Sequence, residues 1–135
     1  MHRLGVGTAR DITSIVGGLL LRSLLFREYT LGEKVALWRG KILSGRRLWN
    51  TQLSTDLTQT VTRLEVPVCF LHGVHDQTVS YPLARSYYER LEAPLKGFYT
   101  FERSAHSPLF EEPEKTCAIM REDVLGGSAA LADPQ

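Results

Sequence analysis

The sequence predicts a mixed α/β fold with parallel strands, on the strength of three features between Val66 and Pro113. Two short apolar runs stand out: Val66 to Leu71, which does not alternate with polar residues, as expected of a strand buried on both faces, and Gly97 to Phe101, which is rich in aromatic residues. A helix-length segment, Ser80 to Leu91, separates them. Each run ends in a loop that carries a titratable residue: Gly73-Val74-His75-Asp76 after the first and Ser104-Ala105-His106 after the second. Parallel strands joined by a helical crossover place both loops at the same end of the sheet. Asp76 and His106 are therefore expected to meet in space.

The remaining elements follow from spacing. Thr8 stands as an N-cap before Asp11, and Ile12, Ile15, Val16, Leu19 and Leu20 recur at helical spacing. Thr30-Leu31-Gly32-Glu33 reads as a capping box. It opens a helix with Leu31, Val35, Trp38 and Ile42 on one apolar face, read as packing with pocket lining as the alternative, and Gly45 as its stop. A third helix is expected over Thr55 to Leu64, and Pro67 ends it. In the crossover helix, Pro82 fits the first turn and Leu83, Tyr87 and Leu91 form the inward row. Pro113 opens a last helix with Cys117, Met120 and Val124 inward, and Gly126-Gly127 stops it. The domain reading is a helical segment over 1–63, an α/β core over 64–125 and a flexible tail over 126–135.

Composition narrows the function. The 135 residues are 43% apolar and 23% charged, with 16 basic and 15 acidic residues and a net charge of +1. That balance, with no basic block, argues against a nucleic-acid partner. The early apolar run from Ile12 to Phe26 is too short and too interrupted to span a bilayer, so no membrane partner is expected. Asp11 ahead of it, and no small-residue cleavage site behind it, argue against a signal peptide. Cys69 and Cys117 suggest neither a disulfide framework nor zinc spacing, which fits a cytoplasmic protein.

The chemistry concentrates on Asp76 and His106. An Asp that orients a His is the acid–base half of a nucleophilic triad. His106 follows a strand and is flanked by the small residues Ala105 and Ser107. Asp76 has a plain alternative as a loop or capping residue. Ser80 is placed to cap the next helix and so leaves Asp76 free. His72, His75 and Asp76 form a His-x-x-His-Asp run, but no helix context or further ligand completes a metal shell.

Taken together, Val66-Pro67-Val68 and the strand after it, Gly73-Val74-His75-Asp76, and His106 with Glu112-Pro113-Glu114 downstream resemble the C-terminal end of the α/β-hydrolase superfamily. The likeness covers roughly residues 64 to 125, and its nearest branch is the esterase, lipase and proline iminopeptidase-like one. The resemblance implies that Asp76 and His106 are catalytic, as the acid and base of a Ser-Asp-His triad. It implies that residues 8 to 63 form a lid, and that no cofactor is needed. The substrate would be a small-molecule ester or amide. Two departures stand out. Ala105 occupies a position where such proteins commonly have Gly, and no Gly-x-Ser-x-Gly nucleophile turn occurs in the chain. The nucleophile is therefore expected on a missing N-terminal half of the fold. The alternative class is a non-catalytic globular remnant or protein-binding module.

Overall fold

A computed structural model describes residues 21–134. The helix expected over Ile12 to Leu20, with its Thr8 cap, lies outside the described residues. The chain divides into two compact units, one ending at Thr60 and the other beginning at Val61.

The first unit is helical: α1 (Leu21–Leu25), α2 (Leu31–Ser54) and α3 (Leu57–Thr60). The capping box forms: the Thr30 amide donates to Glu33 Oε2 at 2.8 Å, and the Glu33 amide donates to Thr30 Oγ1 at 3.3 Å. Trp38 Nε1 donates to Ser23 Oγ at 3.1 Å and Lys34 Nζ to the Leu24 carbonyl at 2.8 Å, which ties α1 to α2. Gly45 does not stop α2, which runs on to Ser54. A Gly within a helix costs only about 1 kcal/mol relative to Ala. The good helix formers Arg46, Arg47 and Leu48 follow it without a Pro. The helix ends instead where Ser54 and Thr55 turn their hydroxyls back onto the Thr51 carbonyl. The expected packed stripe does not form among the described residues: Trp38 is half-buried, while Leu31, Val35 and Ile42 are exposed. The third helix is also shorter than expected. Asp56 Oδ1 accepts from the Thr58 amide, and the helix closes at Thr60. Residues 62–64 are extended because they pair with Glu92 through an Arg63–Glu92 parallel bridge.

The second unit carries the α/β layering. Strands β1 (Val68–Gly73) and β2 (Lys96–Phe101) pair in parallel, from Val68 opposite Lys96 to Gly73 opposite Phe101. Helix α4 (Tyr81–Arg90) makes the crossover. Alternation along β2 sends Phe98 and Thr100 to one face and Tyr99 and Phe101 to the other. On the first face, Phe98 stacks with Phe70 at 6.0 Å and meets Tyr88 edge-on at 5.3 Å. On the second, Tyr99 and Phe101 form the core with Ile119. Tyr88 and Leu91 are buried, but Leu83 is 71% exposed and does not join the inward row.

Beyond β2 come α5 (Pro108–Glu111), α6 (Pro113–Ile119) and one π-helical turn (Met120–Val124). In α6 and the π-helical turn the buried positions are Thr116, Ile119 and Asp123, one residue before each of the expected Cys117, Met120 and Val124. The cause is Asp123. Its carboxylate is fully buried and accepts from the Tyr99 hydroxyl (2.8 Å), Ser128 Oγ (2.6 Å) and the amides of Ala130 (2.8 Å) and Leu131 (2.9 Å). Facing this inward rotates the apolar row outward. Gly127 reverses the chain at φ 67°, a conformation Gly adopts without strain.

Residues 128–134 are not a loose tail. Ala132 packs on the core, the Asp133 amide donates to the Phe98 carbonyl at 2.8 Å, and Thr100 bonds the Asp133 carboxylate. Among the described residues, no helix is long and apolar enough to cross a membrane.

Candidate active site

Both loops emerge at the C-terminal ends of β1 and β2, and backbone bonds stitch them together. The Val74 amide donates to the Phe101 carbonyl at 3.0 Å, and the His75 amide donates to the Ser104 carbonyl at 3.1 Å. Gly73 sits at the closest approach. A Cβ there would lie 2.2 Å from the Ala105 carbonyl oxygen and 2.3 Å from that of Ser104. Neither backbone oxygen can yield as a flexible side chain would. Gly73→Ala is therefore expected to destabilise the protein by about 1–3 kcal/mol, the range for overpacking. It should also part the two loops. Thermal unfolding and the His106 ring signals in an NMR spectrum would check both effects.

The structure brings Asp76 and His106 together. His106 Nδ1 lies 2.7 Å from Asp76 Oδ2. The other carboxylate oxygen, Oδ1, accepts from the amides of Thr78 (2.7 Å) and Val79 (3.0 Å). Asp76 thus makes the loop turn with one oxygen and holds the His with the other. Ser80 makes no side-chain cap, so the division of labour expected between Asp76 and Ser80 is replaced by two roles on one carboxylate. The side chain of Asp76 is 4% exposed and that of His106 is 41% exposed, so the acid is sheltered while the imidazole reaches the surface. His72 Nε2 lies 3.8 Å from the same Oδ2. His75 is half-buried in the loop, and among the described residues no group of three His, Cys, Asp or Glu is placed to hold a metal.

Two further carboxylates shape the His106 loop. Glu112 Oε1 accepts from the Arg103 amide at 2.9 Å and from Ser104 Oγ at 2.7 Å, and Glu111 Oε2 accepts from the Ala105 amide at 2.8 Å. Together they satisfy the donors of three consecutive residues and fix the backbone just before His106. No spacing in the sequence signals this; only the Glu-Glu-Pro spelling at a helix start points toward it.

Burial opposes ionisation of Asp76, but His106 and the two loop amides outweigh it and hold its carboxyl below the usual range. Glu112 follows the same pattern, with burial opposed by Ser104 and Arg103, and so does Asp123, with burial opposed by Ser128, Leu131, Tyr99 and Ala130. Each of these groups binds a proton more weakly folded than unfolded. As pH falls past 4.5 for Glu and 3.8 for Asp, the unfolded chain takes up protons first. The stability they contribute is present above that window and is lost as pH drops through the folded values. A series of thermal melts from pH 7 to pH 3 should show the midpoint falling only in the acid part.

No family model matches the chain. A protein named as a probable aminopeptidase, from Bacillus subtilis, is 33% identical over 95 residues, which is 70% of this chain and 30% of that protein. A protein named as an esterase/lipase, from Mycoplasma genitalium, is 32% identical over 104 residues, 72% of this chain and 37% of that protein. The relationship is α/β-hydrolase-like. The hydrolase-like chain spans about a third of the length of these relatives. Its two parallel strands with flanking helices match part of an α/β-hydrolase fold. An esterase from Exiguobacterium antarcticum aligns with 53% of this chain and 26% of its own, at 24% identity and a TM-score of 0.46.

Proposed function

We propose that this chain supplies the acid and base of a Ser-Asp-His hydrolase acting on an ester or amide bond, with the nucleophile outside these 135 residues. The observation that carries the proposal is the 2.7 Å contact between His106 Nδ1 and the sheltered Asp76 carboxylate at neighbouring strand ends. In this reading, Asp76 accepts a hydrogen bond from His106 Nδ1–H and so fixes His106 in the tautomer with a bare Nε2. That nitrogen takes the proton of a serine hydroxyl as the serine attacks the carbonyl, then returns it to the leaving group. Asp76 stays ionised throughout and stabilises the imidazolium. Glu111 and Glu112 fix the backbone just before His106 while the charge on its imidazole changes.

The names of the two relatives support hydrolysis of an ester or a peptide-like amide as the reaction class. The partner is the N-terminal half of the fold, which brings the nucleophile and the oxyanion donors. Cys69 and Cys117 are unpaired, in keeping with a cytoplasmic setting. The test joins this chain to an N-terminal half-fold bearing a Gly-x-Ser-x-Gly turn and measures hydrolysis of an activated ester. Turnover that depends on His106 supports the reading, and turnover indifferent to His106 rejects it.

A further inference from the structure

His72 has a buried ring nitrogen with no hydrogen-bond partner among the described residues. Its side chain is 11% exposed, and the nitrogen is Nε2. The ring lies parallel to Phe98 at 6.3 Å and edge-on to Tyr81 at 5.4 Å. Both neighbours offer it aromatic surface. Nε2 is 3.8 Å from Asp76 Oδ2, outside hydrogen-bond reach but within ion-pair range. Buried donors are seldom left unpaired without a reason.

Asp76 supplies that reason. Its Oδ1 is taken by two loop amides, while Oδ2 accepts from His106 Nδ1. His106 is 41% exposed on its side chain, which leaves the ring room to swing off the carboxylate toward solvent. Whenever it turns away, Oδ2 is left as a buried charge with one donor fewer, which is costly. A shift of about 1 Å would bring His72 Nε2 within bonding distance of that oxygen. A bare nitrogen lone pair facing a carboxylate is repelled, so the electrostatics assign the His72 proton to Nε2.

We propose that His72 is a positioning residue for the Asp76–His106 pair, held in reserve as a second donor to Asp76 Oδ2. Two imidazoles then share one carboxylate oxygen. His106 occupies it in this structure, and His72 closes on it when His106 leaves. The device keeps Asp76 ionised and oriented whichever way His106 points. It rests on the pairing of Asp76 with His106 and goes beyond the hydrolytic reading.

The full chain labelled with ¹⁵N-histidine tests it. In His106→Ala, the His72 Nε2–H proton is expected to move downfield and to exchange more slowly with water. The same substitution should lower the thermal midpoint more in a His72→Phe background than in one that keeps His72. His72→Gln, whose amide reaches the same place, should restore the smaller drop. A His72 signal unmoved by His106→Ala, or strictly additive stability losses, would overturn the proposal. If His72→Phe does not fold, the His106→Ala spectrum and the Gln variant decide it. Neither readout uses turnover, so failure of the hydrolytic reading and failure of this inference are separate results.

Discussion

Asp76→Asn is expected to lower turnover by about 10⁴ in a protein that joins this chain to a half-fold carrying the nucleophile. The cause is the tautomer. The Asn amide can present its NH₂ where Asp76 Oδ2 now accepts, 2.7 Å from His106 Nδ1. His106 then keeps its proton on Nε2, the nitrogen that must receive one from the serine. The loop should survive, because the amide oxygen can still accept from Thr78 and Val79 as Oδ1 does now. Activity should therefore fall far more than stability. His106→Ala, which removes the base, should leave only the rate that an oxyanion hole and substrate binding provide without it. Rate measurements with an activated ester, beside thermal melts of the same variants, would separate lost chemistry from lost folding.

The isolated chain should hydrolyse the same ester no faster than free imidazole at equal concentration. A complete triad enzyme stripped of its nucleophile retains roughly 10³- to 10⁴-fold catalysis over water, because oxyanion donors and binding contacts persist. Those donors come from the nucleophile turn and an earlier loop. No Gly-x-Ser-x-Gly turn is present in this sequence to provide one. His106 held by Asp76 is then an imidazole with good geometry and nothing to activate. Adding the complementary half, covalently or in trans, should bring turnover back. Robust turnover by the chain alone, lost on changing one of its own serines, would show that the nucleophile lies within it.

The strands were legible because an unalternated apolar run from Val66 to Leu71 and an aromatic-rich one from Gly97 to Phe101 suit strands with a covered face. The meeting of Asp76 with His106 followed from the handed crossover, which fixes which strand ends lie together. Other features depend on polar groups turned inward, which sequence patterns assign to the surface. Asp123 reads as a solvated residue at a helix end, yet four hydrogen bonds bury it and turn the apolar face of the last helix outward. Glu112 reads the same way and anchors the His106 loop from inside. Gly45 shows the limit of local signals: its cost was real but too small to end a helix whose following residues favour continuation. The small residues after Gly127 look like an unattached tail, and only the acceptors at Asp123 and Phe98 explain why they are held.

The most direct measurement is covalent labelling of the joined protein with a serine-directed fluorophosphonate, with the modified residue located by mass spectrometry. The expected label falls on the serine of the Gly-x-Ser-x-Gly turn contributed by the other half, and His106→Ala removes it. Equal labelling in His106→Ala, or a label on a serine of this chain, would contradict the assignment of Asp76 and His106 as the acid and base for a nucleophile elsewhere.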